Sequence, residues 1–481
     1  MQFLGKNKAP GPKGWPYFGV VFEVKIATLH LTLYDWAKRY GDVFQFNMLG
    51  KKFFCINSVD VLRDTFLKEP NATITANRPP TFIGKYSLSN YADVGFASPS
   101  PLWTRRRKLT YQLLHAYGEG LTCLEKQILK NLQILKGEVQ ALDGRNAEPN
   151  VVVDNFIWNT VEILLIGRSF GKTGPLQTLL RQLEKHTVIS NPGYDTIYSK
   201  LPWLRFLPLP ASKAYATVSK IRLDLIDQLD KLSNDECAER GIYHTMKEVM
   251  KERDKDGKQW LMKENVKCII YDLYAAGYRT TRAAILSMVH ILAKRPDLQR
   301  ELQKEMDTVI GSEREPRLSD RGDCPRIESF ILETLRYISH LPLFVFHAAS
   351  QSTSIGGYDV EKDTVIVANS WTMHHSEKYW DEPFSFKAER FLDSNGQLFP
   401  ATHPIRKRLL VFGLGKRSCI GEVFAKSRTF LFLSTLLQTT TIVEPEGITL
   451  PEFDPRAMVP GIVIQPQPFE VRFVVRSKRN S

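Results

Sequence analysis

The sequence lacks the features that mark several common protein classes. No stretch of 18 or more uncharged apolar residues occurs, so no segment of this sequence is suited to span a bilayer as a helix. The six cysteines form no CxxC pair and are too sparse for a disulfide framework, which indicates a reducing compartment and buried, apolar thiols. No block of five or more like charges is present, so we expect no nucleic-acid partner.

The chain instead has a globular composition with a surplus of positive charge. Its 481 residues are 43% hydrophobic and 24% charged, and 65 Lys and Arg against 52 Asp and Glu give a net charge of +13. That surplus suits an anionic membrane or an acidic protein partner. Residues 1–7 lack the apolar core of a signal peptide, and Pro10–Pro16 is typical of a stiff spacer after a membrane anchor. We expect 1–20 to be a Pro/Gly-rich opening segment, its anchor absent or removed, and 21–481 to be one domain.

Hydrophobic periodicity predicts a mainly α-helical single body with small β-sheets. Helical spacing covers residues 29–40, 154–166, 176–190, 214–232, 263–294, 298–310 and 327–338. Residues 42–56 indicate a hairpin, residues 353–368 alternate like strand with a turn at Gly356 and Gly357, and further strands follow near the C-terminus. No internal repeat or linker divides the chain.

One cysteine occupies a position that favours chemistry. Cys419 lies between flexible glycines and a predicted helix over 422–437. The helix dipole and nearby Arg417 are both expected to lower the pKa of this thiol. Taken alone, a cysteine flanked by glycines is usually structural. A lone thiolate in such a loop also suits axial ligation of haem iron.

The surrounding motif resolves these alternatives by resemblance. Phe412, Gly415, Arg417, Cys419 and Gly421 complete the pattern Phe-x-x-Gly-x-Arg-x-Cys-x-Gly, which resembles the haem-thiolate signature of the cytochrome P450 superfamily. The resemblance implies the fold of that family, with a long central helix over haem b. It also implies that Cys419 ligates the iron and that Phe412, Arg417 and Gly421 contact the cofactor.

Two further motifs resemble structural and cofactor-binding segments of the family. Glu333 and Arg336 match its Glu-x-x-Arg helix, and Arg390 matches the arginine that joins this pair, which implies a network beneath the haem. As an isolated pattern, Glu-x-x-Arg is a common surface pair. Trp103 and Arg107 match the Trp-x-x-x-Arg helix, which implies contacts with haem propionates.

His347 and the long helix carry the remaining cofactor assignments. His347 stands where many microsomal relatives place a propionate-binding histidine, although an isolated histidine is more often a packed polar residue. Gly277 and Thr280 resemble the oxygen-binding segment, which implies room for dioxygen and a hydrogen bond to it. The acid that normally precedes this threonine and helps to deliver protons is Arg279 here. Either Arg279 points out of the pocket, or oxygen activation is impaired.

The resemblance is strongest to the microsomal branch that contains aryl-hydrocarbon hydroxylases and steroid 17-hydroxylases. It implies a substrate cavity lined by Phe96, Ala276 and Leu343, with aromatic neighbours. The neighbours belong to the loop before Trp103 and are Phe82, Tyr86, Tyr91 and Val94. Such a cavity suits a flat or fused-ring lipophile, steroid-like or aromatic polycyclic.

Two surfaces are expected to serve partners. Leu201–Pro210 (LPWLRFLPLP) resembles the membrane-dipping segment of microsomal relatives, with a buried interhelical connection as the alternative. The family places a second set of basic residues around the thiolate side, where an acidic NADPH-dependent flavoprotein reductase docks. These residues are Arg105, Arg106, Lys108, Arg406, Lys407, Arg408 and Lys416. Cytochrome b5 is a second candidate partner, and the cytosolic face of the endoplasmic reticulum membrane is the expected location.

The resulting hypothesis is a haem-thiolate monooxygenase that inserts one oxygen atom from O2 into a lipophilic substrate. Its electrons come from NADPH through the flavins of the reductase. Two alternatives stay open: a reductase-independent hydroperoxide isomerase or peroxygenase, motivated by Arg279, and a haem-containing lipid or steroid binding protein.

Overall fold

Helices form most of the chain, and the longest of them runs through its core. The computed structural model describes residues 7–118, 122–171, 174–187, 192–233 and 240–476. The helices are α1 (Leu29–Tyr40), α2 (Val59–Leu67), α3 (Asn71–Ile74), α4 (Pro101–Gly118), α5 (Thr122–Leu142), α6 (Asn150–Ile166), α7 (Pro175–Thr187), α8 (Pro192–Lys200), α9 (Pro210–Ser233), α10 (Ile242–Val249), α11 (Lys263–Lys294), α12 (Pro296–Val309), α13 (Pro325–Ile338), α14 (Ser370–His375), α15 (Pro404–Lys407) and α16 (Glu422–Thr439).

Helix α11 is the central element of the fold. It extends over 32 residues and ends before Pro296, whose ring disfavours helical backbone at the preceding residue. Its buried face includes Ile269, Ile270, Ala283 and Leu286, and the helix contacts α6, α13 and α16. One face of α11 is therefore held in the main hydrophobic core, while another lines a cavity.

The strands form one sheet of four and two separate pairs. They are β1 (Val43–Met48), β2 (Lys51–Ile56), β3 (His347–Ala348), β4 (Thr353–Ile355), β5 (Tyr358–Val360), β6 (Val365–Ala368), β7 (Thr440–Val443) and β8 (Arg472–Val475). The larger sheet has the order β1-β2-β6-β3, with β2 and β6 parallel and the outer pairs antiparallel. β4 pairs with β5, and β7 with β8.

The mainly α-helical fold class is confirmed, and several element bounds agree with the sequence. α1, α11 and the β1–β2 hairpin lie where the periodicity predicts them. α6 begins four residues earlier than predicted, and residues 188–190 of the predicted third helix lie outside the described residues. The predicted strands over 353–368 and their turn at Gly356 and Gly357 are confirmed: β4 and β5 form a hairpin around these glycines, and β6 joins the four-stranded sheet.

The described cysteines divide into two groups. Cys55, Cys268 and Cys324 are buried, as expected for small apolar side chains, and Cys419 is exposed at a cavity. The side chains of Cys123 and Cys237 lie outside the described residues. Within the described ranges, no helix has the length and apolar character needed to cross a bilayer.

Candidate functional site

A cavity of about 310 Å³ lies between α11 and the loop that carries Cys419. α11 contributes Ala276, Gly277 and Thr280 to one wall, and residues 411–421 form the opposite wall. The arginine and histidine residues of the lining are Arg78, Arg107, Arg417, Arg428, His340 and His347. The cavity therefore has a cationic lining around one exposed thiol.

Glycines and a helix start shape the loop around Cys419. Gly415 has a φ of +66°, and a Cβ at this position would lie 2.2 Å from the carbonyl oxygen of Phe66, so only glycine fits there. The amide N–H of Cys419 donates to the carbonyl oxygen of Phe412 at 2.7 Å, and α16 begins three residues later at Glu422. The loop thus holds the sulfur at the cavity wall, close to a helix N-terminus.

The expected electrostatics of this thiol need correction. Burial raises the pKa of Cys419, whereas a backbone hydrogen bond from Gly421 and the charges of Arg107 and Arg428 lower it. The prediction that the net effect is a lowered pKa, with Arg417 as the responsible charge, was wrong. Desolvation outweighs the nearby cations, and the influential guanidinium groups come from α4 and α16.

Three arginines form a cationic wall whose partners are almost all backbone carbonyls. Arg417 donates to Ala76 at 2.8 Å and to Ala97 at 2.5 Å, and Arg107 donates to the Ser418 carbonyl at 2.5 Å. Arg78 donates to the Gly95 carbonyl at 3.0 Å. Within the described ranges, no ion pair joins any of these three side chains to a carboxylate. Burial lowers the pKa of Arg417 to about 9, with a further contribution from Arg107.

This cationic wall fits haem b. These guanidinium groups are half-buried, and the one carboxyl group whose charge opposes those of Arg78 and Arg417 is Asp93, with which neither forms an ion pair. Charges withdrawn from water are unfavourable unless groups of opposite sign compensate them. The two propionates of haem supply such charges, and planar guanidinium groups match carboxylate geometry. Arg78 was missed in the sequence. It precedes Pro79 and Pro80 in no recognisable motif, and only the fold brings it to Arg417.

Two other predicted propionate contacts occupy different positions. The indole N–H of Trp103 donates to the Val94 carbonyl at 3.1 Å, and its ring lies 4.2 Å from the guanidinium carbon of Arg417. Trp103 therefore supports Arg417 through a cation–π contact and is absent from the described cavity lining. His347 does line the cavity. Its Nδ1–H donates to the Thr75 carbonyl at 2.8 Å, and its ring stacks on Phe66.

The face of α11 that lines the cavity carries the predicted oxygen-binding residues. Thr280 Oγ1 donates to the Ala276 carbonyl at 2.7 Å, and Gly277 lies between them. Arg279 is absent from the described cavity lining, and its backbone carbonyl accepts a hydrogen bond from Gln465 at 3.0 Å. The placement of Arg279 agrees with the alternative in which its side chain points out of the pocket.

Asp272 supplies the single carboxyl group of the described lining. One of its oxygens accepts hydrogen bonds from the amides of Val94 and Gly95 at 3.0 and 3.1 Å. Burial and the neighbouring carboxyl group of Asp93 raise the pKa of Asp272 well above its usual value. Asp272 belongs to none of the motifs recognised in the sequence, although its position eight residues before Thr280 places both on one helical face.

The residues of the predicted structural network lie together beneath the cavity. Arg336 pairs with Glu333 at 2.7 Å, both side chains being fully buried, and Arg390 pairs with Glu333 at 3.1 Å. Arg336 also donates to the carbonyls of His374 and Pro383. All charges in this network have partners.

The predicted substrate residues are divided between two cavities. Ala276 lines the larger cavity, whereas Phe96 and Leu343 line an adjoining one of about 110 Å³. Arg78, Phe344 and Val345 border both. Phe82 instead belongs to a buried aromatic cluster with Tyr198 and Tyr215, so its assignment to the pocket was wrong.

Two surfaces flank this interior. Leu201–Pro210 is exposed, with 56% of Trp203 and 75% of Phe206 accessible, so the alternative of a buried connection was wrong. Trp15, Tyr17 and Phe22 are exposed as well. On the other surface, the exposed cations are Arg105, Lys108, Lys407 and Lys416, the last paired with Glu69 at 2.8 Å. Arg106, Arg406 and Arg408 are half-buried and donate to carbonyls.

Comparison with known proteins gives consistent results over nearly the whole chain. The family model described as "Cytochrome P450" matches residues 9–473. "Cytochrome P450 1A2" of Mesocricetus auratus is 30% identical over 456 residues, covering 92% of this chain and 87% of the relative. "Cytochrome P450 1A2" of Homo sapiens is 29% identical over 458 residues with the same coverage. "Cytochrome P450 1A1" of Felis catus is 29% identical over 463 residues, covering 92% and 87%.

Proposed function

The chain belongs to the cytochrome P450 family and is a haem b monooxygenase, and on that premise we propose that it hydroxylates fused-ring or steroid-like lipophiles. We further propose that electrons reach it from NADPH through a flavoprotein reductase at the cytosolic face of the endoplasmic reticulum membrane. The observation that carries the proposal is one exposed cysteine on the same cavity as Thr280, whose wall holds three half-buried arginines that form no ion pair with a carboxylate of the described chain.

Cys419 is the proposed iron ligand, and the arginines are the proposed propionate ligands. Arg107 and Arg417 reach the same cavity from α4 and from the cysteine loop, with Arg78 beside them. Their existing bonds to carbonyls hold the guanidinium planes in place before any anion arrives, which limits the reorganisation needed on binding. Phe412 and Gly421 complete the wall around the thiol, and Trp103 holds Arg417.

His347 is proposed as a conditional propionate ligand. Its Nδ1–H is already committed to Thr75, so Nε2 faces the ligand. Burial, Arg78 and Arg417 lower the pKa of His347 well below its usual value. In the neutral ring with the proton on Nδ1, Nε2 accepts a hydrogen bond. His347 therefore donates to a propionate only if the negative charge of that propionate raises the pKa of the ring enough to protonate Nε2.

The wall formed by α11 is proposed to serve oxygen chemistry and substrate. When bound, haem b supplies an iron that activates molecular oxygen with electrons from the redox partner. Thr280 holds a hydroxyl group at the cavity, Gly277 adds no side-chain bulk, and Ala276 leaves space for substrate. Asp272 offers the cavity a carboxyl group, whose raised pKa lets it donate a hydrogen bond.

The exposed apolar residues near Trp203 are proposed to contact the membrane. Trp203 and Phe206 project from the Leu201–Pro210 segment, and the surplus of positive charge strengthens attraction to anionic lipid. Co-sedimentation with anionic liposomes should decrease for Trp203→Asp and stay unchanged for Trp260→Phe, a buried control. Equal co-sedimentation of Trp203→Asp and the native chain would rule out this contact.

Turnover with a defined redox partner tests the proposed activity. The haem-loaded protein is assayed with NADPH and a flavoprotein reductase on a fused-ring hydrocarbon, a steroid and a saturated fatty acid. Hydroxylated product from either ring compound, at rates that fall with ionic strength, is the expected result. Consumption of a lipid hydroperoxide without NADPH, and no reductase-driven product, would favour the isomerase alternative instead.

A further inference from the structure

Arg428 is a buried arginine of α16 that neither the motifs nor the proposed mechanism explains. Its side chain is 1% exposed and lines the same cavity as Cys419. Nη2 donates to the Gly277 carbonyl and to Thr281 Oγ1, both on α11. Nε and Nη1 have no hydrogen-bond acceptor within the described part of the chain. Partial compensation comes from the ring of Phe424, 4.7 Å from the guanidinium carbon.

The charge of this side chain requires an anion. A guanidinium group stays protonated in proteins, and its burial without a counter-ion is strongly unfavourable. No ion pair within 4 Å joins Arg428 to a carboxylate among the described residues. The cavity that Arg428 lines also contains the exposed Cys419 thiol, whose thiolate form supplies such an anion.

Arg428 therefore connects the two sides of the cavity. Its backbone belongs to the helix that follows the thiolate loop, and its side chain reaches the turn of α11 that contains Thr280. A Cβ at Gly277 would lie 3.8 Å from Nη2, so the guanidinium group lies directly against the glycine of the oxygen-binding segment. A displacement of either helix would break these contacts.

We infer that Arg428 is a positioning residue that serves as counter-charge to the Cys419 thiolate and ties α16 to the Gly277–Thr281 turn of α11. The inference rests on the proposed role of Cys419 as iron ligand. A fixed positive charge near the thiolate decreases electron donation to the metal and favours the reduced state. Arg428 accordingly raises the reduction potential of the bound haem.

Three variants separate charge from hydrogen bonding. Arg428→Gln removes the charge and keeps one hydrogen-bond donor group. Arg428→Lys keeps the charge and loses the planar set of guanidinium donors. Arg282→Gln is the matched control, because Arg282 lies on α11, the helix that Arg428 contacts, but pairs with Asp154 at 2.8 Å. The reduction potential of each haem-loaded protein is measured by spectroelectrochemical titration, and the reduced carbon monoxide spectrum reports the ligand.

The expected result is a lower potential for Arg428→Gln, by about 59 mV, equivalent to a tenfold change in the oxidised-to-reduced ratio. Arg428→Lys and Arg282→Gln should stay near the native value. A native potential in Arg428→Gln would overturn the inference, as would an equal decrease in Arg428→Lys.

If Arg428→Gln does not retain haem, its potential cannot be measured, and haem retention by Arg428→Lys becomes the test. Haem retention at native potential in Arg428→Lys would show that the charge is required, and loss of haem there too would reduce Arg428 to a packing role. A native protein that lacks the thiolate spectrum would instead refute the assignment of Cys419.

Discussion

Two groups of charged residues in this molecule differ in how their charges are paired. In the network of Glu333, Arg336 and Arg390, each charge has a partner of opposite sign, at 2.7 and 3.1 Å. On the cavity wall, Arg78, Arg107 and Arg417 donate to carbonyls and have no carboxylate partner in the described chain. The charges of the Glu333–Arg336–Arg390 network are balanced within the chain. The charges of the cavity-wall arginines are balanced only when an anionic ligand binds.

Removing one member of the Glu333–Arg336–Arg390 network should have the largest effect on stability. Arg336→Leu leaves Glu333 buried with part of its charge uncompensated, and one-sided removal from a buried pair costs about 3–5 kcal/mol. The free energy of unfolding, measured with urea on haem-free protein, should decrease by that amount. Arg300→Leu, which removes an exposed ion pair with Asp297, is the control and should change stability by less than about 0.5 kcal/mol. Equal stability of Arg336→Leu and the native chain would contradict the structural role.

Removing an arginine from the cavity wall should weaken haem binding more than it changes the stability of the fold. Arg417→Gln removes a charge that forms no ion pair with a carboxylate of the described residues, so haem-free stability should stay equal or increase. Haem affinity should fall about tenfold or more, because a buried charged hydrogen bond contributes about 1.5–3 kcal/mol. Arg408→Gln, whose guanidinium group donates to the Tyr379 carbonyl at 2.9 Å, is the control. Loss of stability without loss of haem affinity in Arg417→Gln would show that Arg417 stabilises the fold and does not bind haem.

Acid should destabilise the haem-free chain through its buried histidines. Burial lowers the pKa of His340 to about 4 and that of His375 to about 3, and Arg336 contributes to the latter. These histidines stay neutral when folded, whereas the unfolded chain binds protons below about pH 6.5. The stability present above that pH is therefore lost as the pH falls from about 6.5 towards 4, by at most about 1.4 kcal/mol per unit and histidine.

Haem should protect His347 but not the other two from this acid effect. Propionates beside His347 oppose the charges of Arg78 and Arg417 and raise its pKa towards the unfolded value. Urea titrations from pH 7 to 5 should show a smaller loss of stability with haem than without it, and His347→Gln should remove part of that difference. Parallel pH profiles for all four samples would show that no propionate reaches His347.

Arg279→Asp should have the smallest effect. Arg279 lies outside the described cavity lining, so an acid at this position gains no access to the pocket. The ratio of NADPH consumed to product formed should be tightly coupled in the native protein and unchanged in the variant. A marked gain in coupling for Arg279→Asp would show that the native chain has an impaired proton supply.

The sequence was sufficient for the residues that belong to spaced motifs. Cys419, Thr280 and Glu333 occupy motif positions, and the hydrophobic periodicity located α11 to the residue. Asp272 and Arg428 lie on helix faces that periodicity describes, so a charged side chain within an apolar stripe was the available signal. Arg78 had none, because its position depends on a loop packed against Gly95 and Val345.

Long-range packing explains the errors as well. Phe82 joins Tyr198 and Tyr215 from α8 and α9, which no local pattern near Phe82 indicates. The raised pKa of Cys419 depends on desolvation by the whole cavity wall, and that contribution exceeds the local helix dipole. β6 pairs in parallel with β2, about 310 residues earlier in the chain, where local alternation carries no information on the partner.

The carbon monoxide difference spectrum of the reduced, haem-loaded protein tests the central assignment most directly. Ligation by the Cys419 thiolate predicts the red-shifted Soret band of thiolate-bound haem in the native chain and its loss in Cys419→Ser. Cys268→Ser, a change at a buried thiol that does not line the described cavity, should retain the band. A native spectrum without that band, or a Cys419→Ser spectrum that keeps it, would contradict the assignment.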